Sequence, residues 1–100
     1  MRLGKVIGRV TLARVVDGLE GGRWLIVSPH NRDTFARGGI DVPGLSSEPT
    51  LVVYDSLGGG MGDTIGFVEG REAAQPLVPP QPIDAINAAL IDHVFYQPAP

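Results

Sequence analysis

The residues best placed for chemistry gather around one glycine-rich stretch, Leu57-Gly58-Gly59-Gly60-Met61-Gly62-Asp63, with Asp55 just before it. Successive glycines leave backbone N–H groups unshielded, and such a run can cradle a phosphate or another anion. The spacing fits neither phosphate-binding pattern. Asp63 stands where the last glycine of G-x-G-x-x-G would be, and no Lys follows as in a P-loop. The alternative is a tight strand connection that needs positive φ at several residues, with Asp63 capping backbone amides. On that reading Val at position 60 would disrupt folding or assembly, by strain or by a clash. Asp55 and Asp63 bracket the turn and could converge as a carboxylate pair, for acid–base work or a hard cation. No further carboxylate or histidine stands near them in sequence, so the pair reads as two residues that hold a turn.

The remaining polar candidates are scattered. His30 follows Pro29 at a strand end and His93 sits beside Asp92. A metal would need a third ligand, which no spacing supplies, and both read as surface histidines. Ser28, Ser46, Ser47 and Ser56 lack the G-x-S-x-G setting of an activated nucleophile. The absence of cysteine removes disulfides, thiolate nucleophiles, zinc–thiolate sites and iron–sulfur clusters together. Lys5, Arg9, Arg14 and Arg23 put positive charge on the first two strands, but Asp17 and Glu20 dilute it. A solvated or subunit-facing surface accounts for that charge better than a nucleic-acid patch. No catalytic residue, cofactor site or metal site emerges.

Bulk composition points the same way. One hundred residues make a single domain, with a core that gains from burying a further face against copies of itself. A formal charge of −3 argues against a partner held by phosphate neutralisation, and three Phe, two Tyr and one Trp are too few for a base-stacking platform. Charged residues at 19% are low beside a hydrophobic share of 43%, a hint that part of the surface is not meant for water. No stretch approaches the ~20 apolar residues of a membrane span, and Met1-Arg2-Leu3-Gly4-Lys5 leads straight into alternating sequence with no signal region. A cytoplasmic protein with no membrane partner is expected.

The elements that must position these residues are mostly strands. Residues 3–16 alternate, with Val6, Val10, Leu12 and Val16 on one face and Lys5, Arg9 and Thr11 on the other. Gly4 and Gly8 fall on the apolar face, where interior glycines mark a sharp coil or close backbone approach at the corner of a small closed barrel. After the turn Asp17–Gly22, a second strand runs from Arg23 to Ser28 and stops at Pro29, which cannot donate to a ladder. Residues 29–49 read as a long loop with a short edge strand. Strands at 50–55 and 64–69 flank the glycine turn. After Gly70 the segment to Pro82, with Pro76, Pro79, Pro80 and Pro82, reads as an extended surface run. Pro82 then suits the start of a helix, Ile83, Ile86 and Leu90 its apolar stripe, and Asp84 its first turn. A last strand is expected over 90–96 and a frayed tail over 97–100. The sum is an all-β fold over residues 1–96: a small five-stranded closed β-barrel, OB-like, with one short C-terminal helix.

Four ordered stretches carry a resemblance beyond fold class. They are Met1 to Val10; Leu19-Glu20-Gly21 leading into Trp24-Leu25-Ile26-Val27 and Pro29; Val52-Val53-Tyr54-Asp55 with Gly58-Gly59-Gly60-Met61-Gly62-Asp63; and Pro82-Ile83-Asp84-Ala85 through Ala89 to Asp92. In order and spacing they resemble the bacterial microcompartment vertex proteins of the EutN/CcmL family. Gly59 stands where that family usually has alanine. Arg71-Glu72-Ala73-Ala74 stands in place of its common Ser-Ser-Ala-Arg, which puts any subunit contact of that segment in doubt. The resemblance implies a homopentamer, without cofactor, that plugs the five-fold corners of a shell tiled by hexameric and pseudohexameric relatives. Asp55, Gly58, Gly59, Gly60, Gly62 and Asp63 would be its turn signature, at a subunit interface or the axial opening, with Gly4 and Gly8 as strand glycines. The competing readings are an OB-type barrel for nucleic acid or a small ligand, and a small enzyme using Asp55 and Asp63.

Overall fold

The computed structural model describes residues 1–36 and 46–95. Five strands form it: β1 (Arg2–Val10), β2 (Arg23–Pro29), β3 (Leu51–Asp55), β4 (Thr64–Glu69) and β5 (Ala85–Leu90). They close into a barrel in the order β1-β2-β3-β5-β4. All pairings are antiparallel except β3 with β5, which is parallel and rests on a single paired position, Tyr54 with Ile86. That join is the thin seam of the barrel. The expected closed, five-stranded, OB-like barrel is therefore present, and the glycine turn spans its end. β3 and β4 do not pair with each other, because β5 lies between them.

Alternation along the strands fills the interior. Val6, Leu25, Val27, Val53, Ile65, Phe67 and Ala85 form the inner core, each at most 3% exposed. A second cluster lies outside the wall, where Tyr54 and Ile86 meet Leu19 and Ala73, flanked by Trp24, Val68 and Leu77. Trp24 and Tyr54 sit opposite each other on β2 and β3, with rings packed edge-on at 5.2 Å. Short 3₁₀ segments at Asp17–Leu19 and Gly70–Ala74 bring Leu19 and Ala73 to this outer patch.

Several elements differ from expectation. The predicted helix after Pro82 is the strand β5, so the last strand among the described residues runs over 85–90, and 91–95 of the expected 90–96 strand have no strand structure. The spacing of Ile83, Ile86 and Leu90 fits a helix stripe, but pairing on both edges of Ala85–Leu90 outweighs it. The short helix of the C-terminal half lies earlier, at Gly70–Ala74, within what reads in sequence as extended. A five-residue helix, α1 (Arg32–Ala36), begins the segment read as a loop. Asn31 caps it, its Oδ1 accepting from the Thr34 amide at 3.0 Å while Thr34 Oγ1 accepts from the Asn31 amide at 2.7 Å. The edge strand expected there, if over 37–45, and the tail at 97–100 lie outside the described residues.

β1 is shorter than expected and contains a bulge. Val6 faces Val27 and Gly8 faces Ile26, so Ile7 has no partner across the β1–β2 ladder. One extra residue reverses which face every later side chain takes. Val10 thus pairs with Trp24 on the outside and Arg9 with the buried Leu25, the opposite of simple alternation. Gly4 lies inside, where a Cβ would come 2.5 Å from Val27 Cγ1 and 3.0 Å from the Ser28 carbonyl oxygen. Gly8 belongs to the outer face, and its Cβ would meet only Ile26, at 3.2 Å from Cδ1.

Candidate functional site

β3 delivers Asp55 to the barrel end with its side chain inward and 0% exposed. Such a buried carboxylate needs several donors, and four converge on it. Oδ1 accepts from the Leu57 amide at 3.0 Å and from Asn87 Nδ2 at 2.9 Å. Oδ2 accepts from the Gly58 amide at 3.2 Å and the Gly59 amide at 2.8 Å. The amide cradle suggested by the glycine run therefore exists, and it already holds an anion from its own chain. Asn87 comes from β5, one residue past the Tyr54–Ile86 pairing. Its bond to Asp55 thus reinforces the seam where backbone pairing is thinnest.

The turn divides its glycines by role. Gly58 and Gly62 have φ of 91° and 84°, a conformation that side chains resist. Gly59 has ordinary φ but is buried, with a Cβ position 3.0 Å from Leu25 Cδ1. Gly60 needs neither: its φ is not positive, and a Cβ there would meet only Asp63 Oδ2, at 3.9 Å. Gly60 thus shows neither the expected positive-φ strain nor, among the described residues, a clash at Cβ. Asp63 caps the Gly60 amide through Oδ2 at 2.9 Å, as expected. The turn is also stitched to β1, Gly62 donating to the Val6 carbonyl at 2.9 Å and Val6 donating to the Asp63 carbonyl at 2.8 Å.

Asp55 and Asp63 do not act as a pair. One is buried and fills the cradle; the other is exposed and caps a different amide. Among the described residues no group of three or more acidic or histidine side chains could hold a metal ion. His93 is exposed as expected, its Nε2 3.6 Å from Asp92 Oδ2. His30 is not a free surface residue. It is half-buried, its ring packs edge-on against Phe35 at 5.3 Å, and its Nε2 is buried without a partner among the described residues. Burial first, and then the nearby Lys5 charge, hold its pKa below the ordinary 6.5. Ser28 and Ser46 serve the loop: the Ser28 hydroxyl accepts from the Ser46 amide at 3.2 Å, and the Ser46 hydroxyl donates to the Pro29 carbonyl.

Sequence reasoning missed Asn87. Its signal is a polar residue on the inner face of Ala85-Ile86-Asn87-Ala88-Ala89, legible only once that run is taken as a strand. The Asp55–turn–Asn87 unit is a structural device that ties the turn to β5. The family described as ethanolamine utilisation protein EutN/carboxysome matches residues 1–92. The chain belongs to the EutN/CcmL family. Among solved structures it is similar to the GrpN pentameric microcompartment shell protein from Rhodospirillum rubrum. That match has 29% identity and a TM-score of 0.72, covering 96% of this chain and 100% of that one. It is also similar to CcmL from a Nostoc species, at 25% identity and TM-score 0.71, over 94% of this chain and 90% of that one. EutN from Escherichia coli shares the fold, at 23% identity and TM-score 0.76, over 96% of this chain and 89% of that one. No curated protein matches the sequence. No helix among the described residues is long and apolar enough to cross a membrane.

Proposed function

We propose that this EutN/CcmL-family protein is a structural, non-enzymatic vertex component of a bacterial microcompartment, acting as a homopentamer in a shell within the cytoplasm. The observation that carries the reading is the family match across residues 1–92. It is supported by the likeness, over nearly the whole of both chains, to a shell protein described as pentameric. The mechanism is geometric. Hexagonal layers built from hexameric and pseudohexameric partners are flat, and five-fold units add the curvature that closes them. A closed barrel suits this work because it has no free sheet edges along which copies could pair without limit. The Asp55-filled turn gives the barrel end a fixed shape, which suits a position at a subunit interface or beside the axial opening. Exposed Leu57 on that turn is apolar surface that a neighbouring copy would cover.

The test is shell closure. Hexameric shell proteins of the same compartment, co-expressed with this chain, should give closed polyhedra by electron microscopy. Without the chain they should give shells open at their corners, or extended tubes and sheets. Equally closed shells in both preparations would refute the proposal.

A further inference from the structure

The bulge at Ile7 decides what the end of β1 presents. By reversing the alternation it pairs Arg9 with the buried Leu25 on the inner face, next to Thr11 and to Arg23 at the start of β2. These side chains rise at the barrel end spanned by the glycine turn. There they line a cavity of about 440 Å³ together with Val6, Leu25, Gly59, Gly60 and Met61. Val6 and Leu25, each 1% exposed, make an apolar floor, and Met61, 70% exposed, stands on the rim. No carboxylate lines the hollow among the described residues. Neither guanidinium forms an ion pair with a described carboxylate, whereas Arg2 is paired with Glu69 at 2.8 Å. Arg23 makes one long bond through Nη1 to the Gly59 carbonyl, at 3.4 Å, which leaves most of its donors free. The nearby Asp63 carboxylate is turned onto the Gly60 amide.

Two uncommitted arginines over one hollow run against the charge of a chain that carries −3 overall. Guanidinium forks match oxyanions in geometry and bind them through charge-assisted bonds. Barrel mouths are also common ligand sites. The adjoining turn amides contribute nothing, since Gly59 and Gly60 already donate to Asp55 and Asp63. We propose that the barrel mouth between Arg9, Arg23 and the glycine turn binds a small oxyanion, a phosphate or carboxylate group on a compact molecule. Val6, Leu25 and Met61 take the apolar part of that molecule. Among the described residues no aromatic side chain lines the hollow, so it offers no base-stacking platform. The proposal goes beyond the vertex role and does not depend on it.

The test titrates the full chain with inorganic phosphate and separately with succinate, at constant ionic strength. Binding is followed by calorimetry and by amide NMR shifts at Thr11 and Gly59–Met61. The expected result is saturable binding of at least one probe, weakened about tenfold or more in both Arg9→Gln and Arg23→Gln, the size of one lost charge-assisted bond. Arg14→Gln, exposed and outside the hollow, should bind as the parent does. Phosphate-only or succinate-only binding supports the site and assigns the oxyanion. Arg9→Gln leaves the Arg23–Gly59 bond intact, so it separates binding from turn geometry. Three results would each overturn the proposal: no saturable binding of either probe, equal weakening in Arg14→Gln, or loss of oligomer mass in Arg9→Gln with neither probe bound. The last would reassign the arginines to a contact between copies.

Discussion

Replacing Asp55 by Asn is the sharpest perturbation of the turn, because the two side chains have nearly the same shape and differ in what they can accept. The carboxylate takes two donors on each oxygen: Leu57 and Asn87 on Oδ1, Gly58 and Gly59 on Oδ2. An amide offers one oxygen and one NH2 group. Whichever way it is turned, one side sets a donor against two donors, and the surviving bonds lose their charge. Hydrogen bonds to charged groups contribute about 1.5–3 kcal/mol each, and a buried donor left without an acceptor adds its own cost. Two such losses at a site 0% exposed sum to about 3–6 kcal/mol. That is a large fraction of the ~5–15 kcal/mol that holds an ordinary domain together. At roughly 4 °C or more per kcal/mol for this size, the melting temperature should fall by at least about 12 °C. Urea and thermal unfolding at pH 7 and fixed protein concentration measure this directly. Asp63→Asn is the internal control: its exposed side chain holds one amide, which an Asn oxygen can still accept, so it should stay within about 0.5 kcal/mol of the parent. If Asp55→Asn unfolds within about 1 kcal/mol of the parent, the turn is not organised around this carboxylate.

Other outcomes follow from single contacts. Gly4→Ala should cost about 1–3 kcal/mol in urea unfolding, since the Ser28 carbonyl, 3.0 Å from the new Cβ, is backbone and cannot rotate away; a neutral effect would refute the close approach. Gly59→Ala should be neutral or stabilising by up to about 1 kcal/mol, because φ is ordinary and the nearest atom, Leu25 Cδ1 at 3.0 Å, is a movable tip. A loss of more than about 1 kcal/mol there would mean that Leu25 is locked. His30 has its pKa held below 6.5 in the fold, so the unfolded chain binds a proton first on acidification. Its contribution is intact above about pH 6.5 and is lost as pH falls toward the depressed folded value. His30→Leu should therefore flatten the stability profile between pH 7 and 5, and an unchanged slope would contradict the burial of its ring.

Legibility in the sequence followed how local the cause was. β2 and β4 are delimited by neighbours in the chain, Pro29 and the flanking glycines, and both appear where their own residues put them. β5 is set by partners far away in sequence, β3 and β4, so its local helix-like spacing misleads. The bulge at Ile7 leaves no mark in the alternation, yet it decides that Arg9 faces in and Val10 faces out. The turn was legible as a turn, and Asp63 as a cap. That Asp55 fills the cradle was not, because its fourth donor, Asn87, lies 32 positions away. Nor does the sequence separate Gly58 and Gly62, which need positive φ, from Gly60, which does not.

Gly60 offers a test that separates the fold from the proposed assembly. Since no described residue crowds its Cβ position, Gly60→Val should leave the isolated barrel folded, and any effect on oligomer mass would report a neighbouring copy. The central claim itself is tested most directly by the solution mass of the purified chain at micromolar concentration, by light scattering or native mass spectrometry. Five copies of the 10.6 kDa chain are predicted. A monomer or dimer under those conditions would contradict the account.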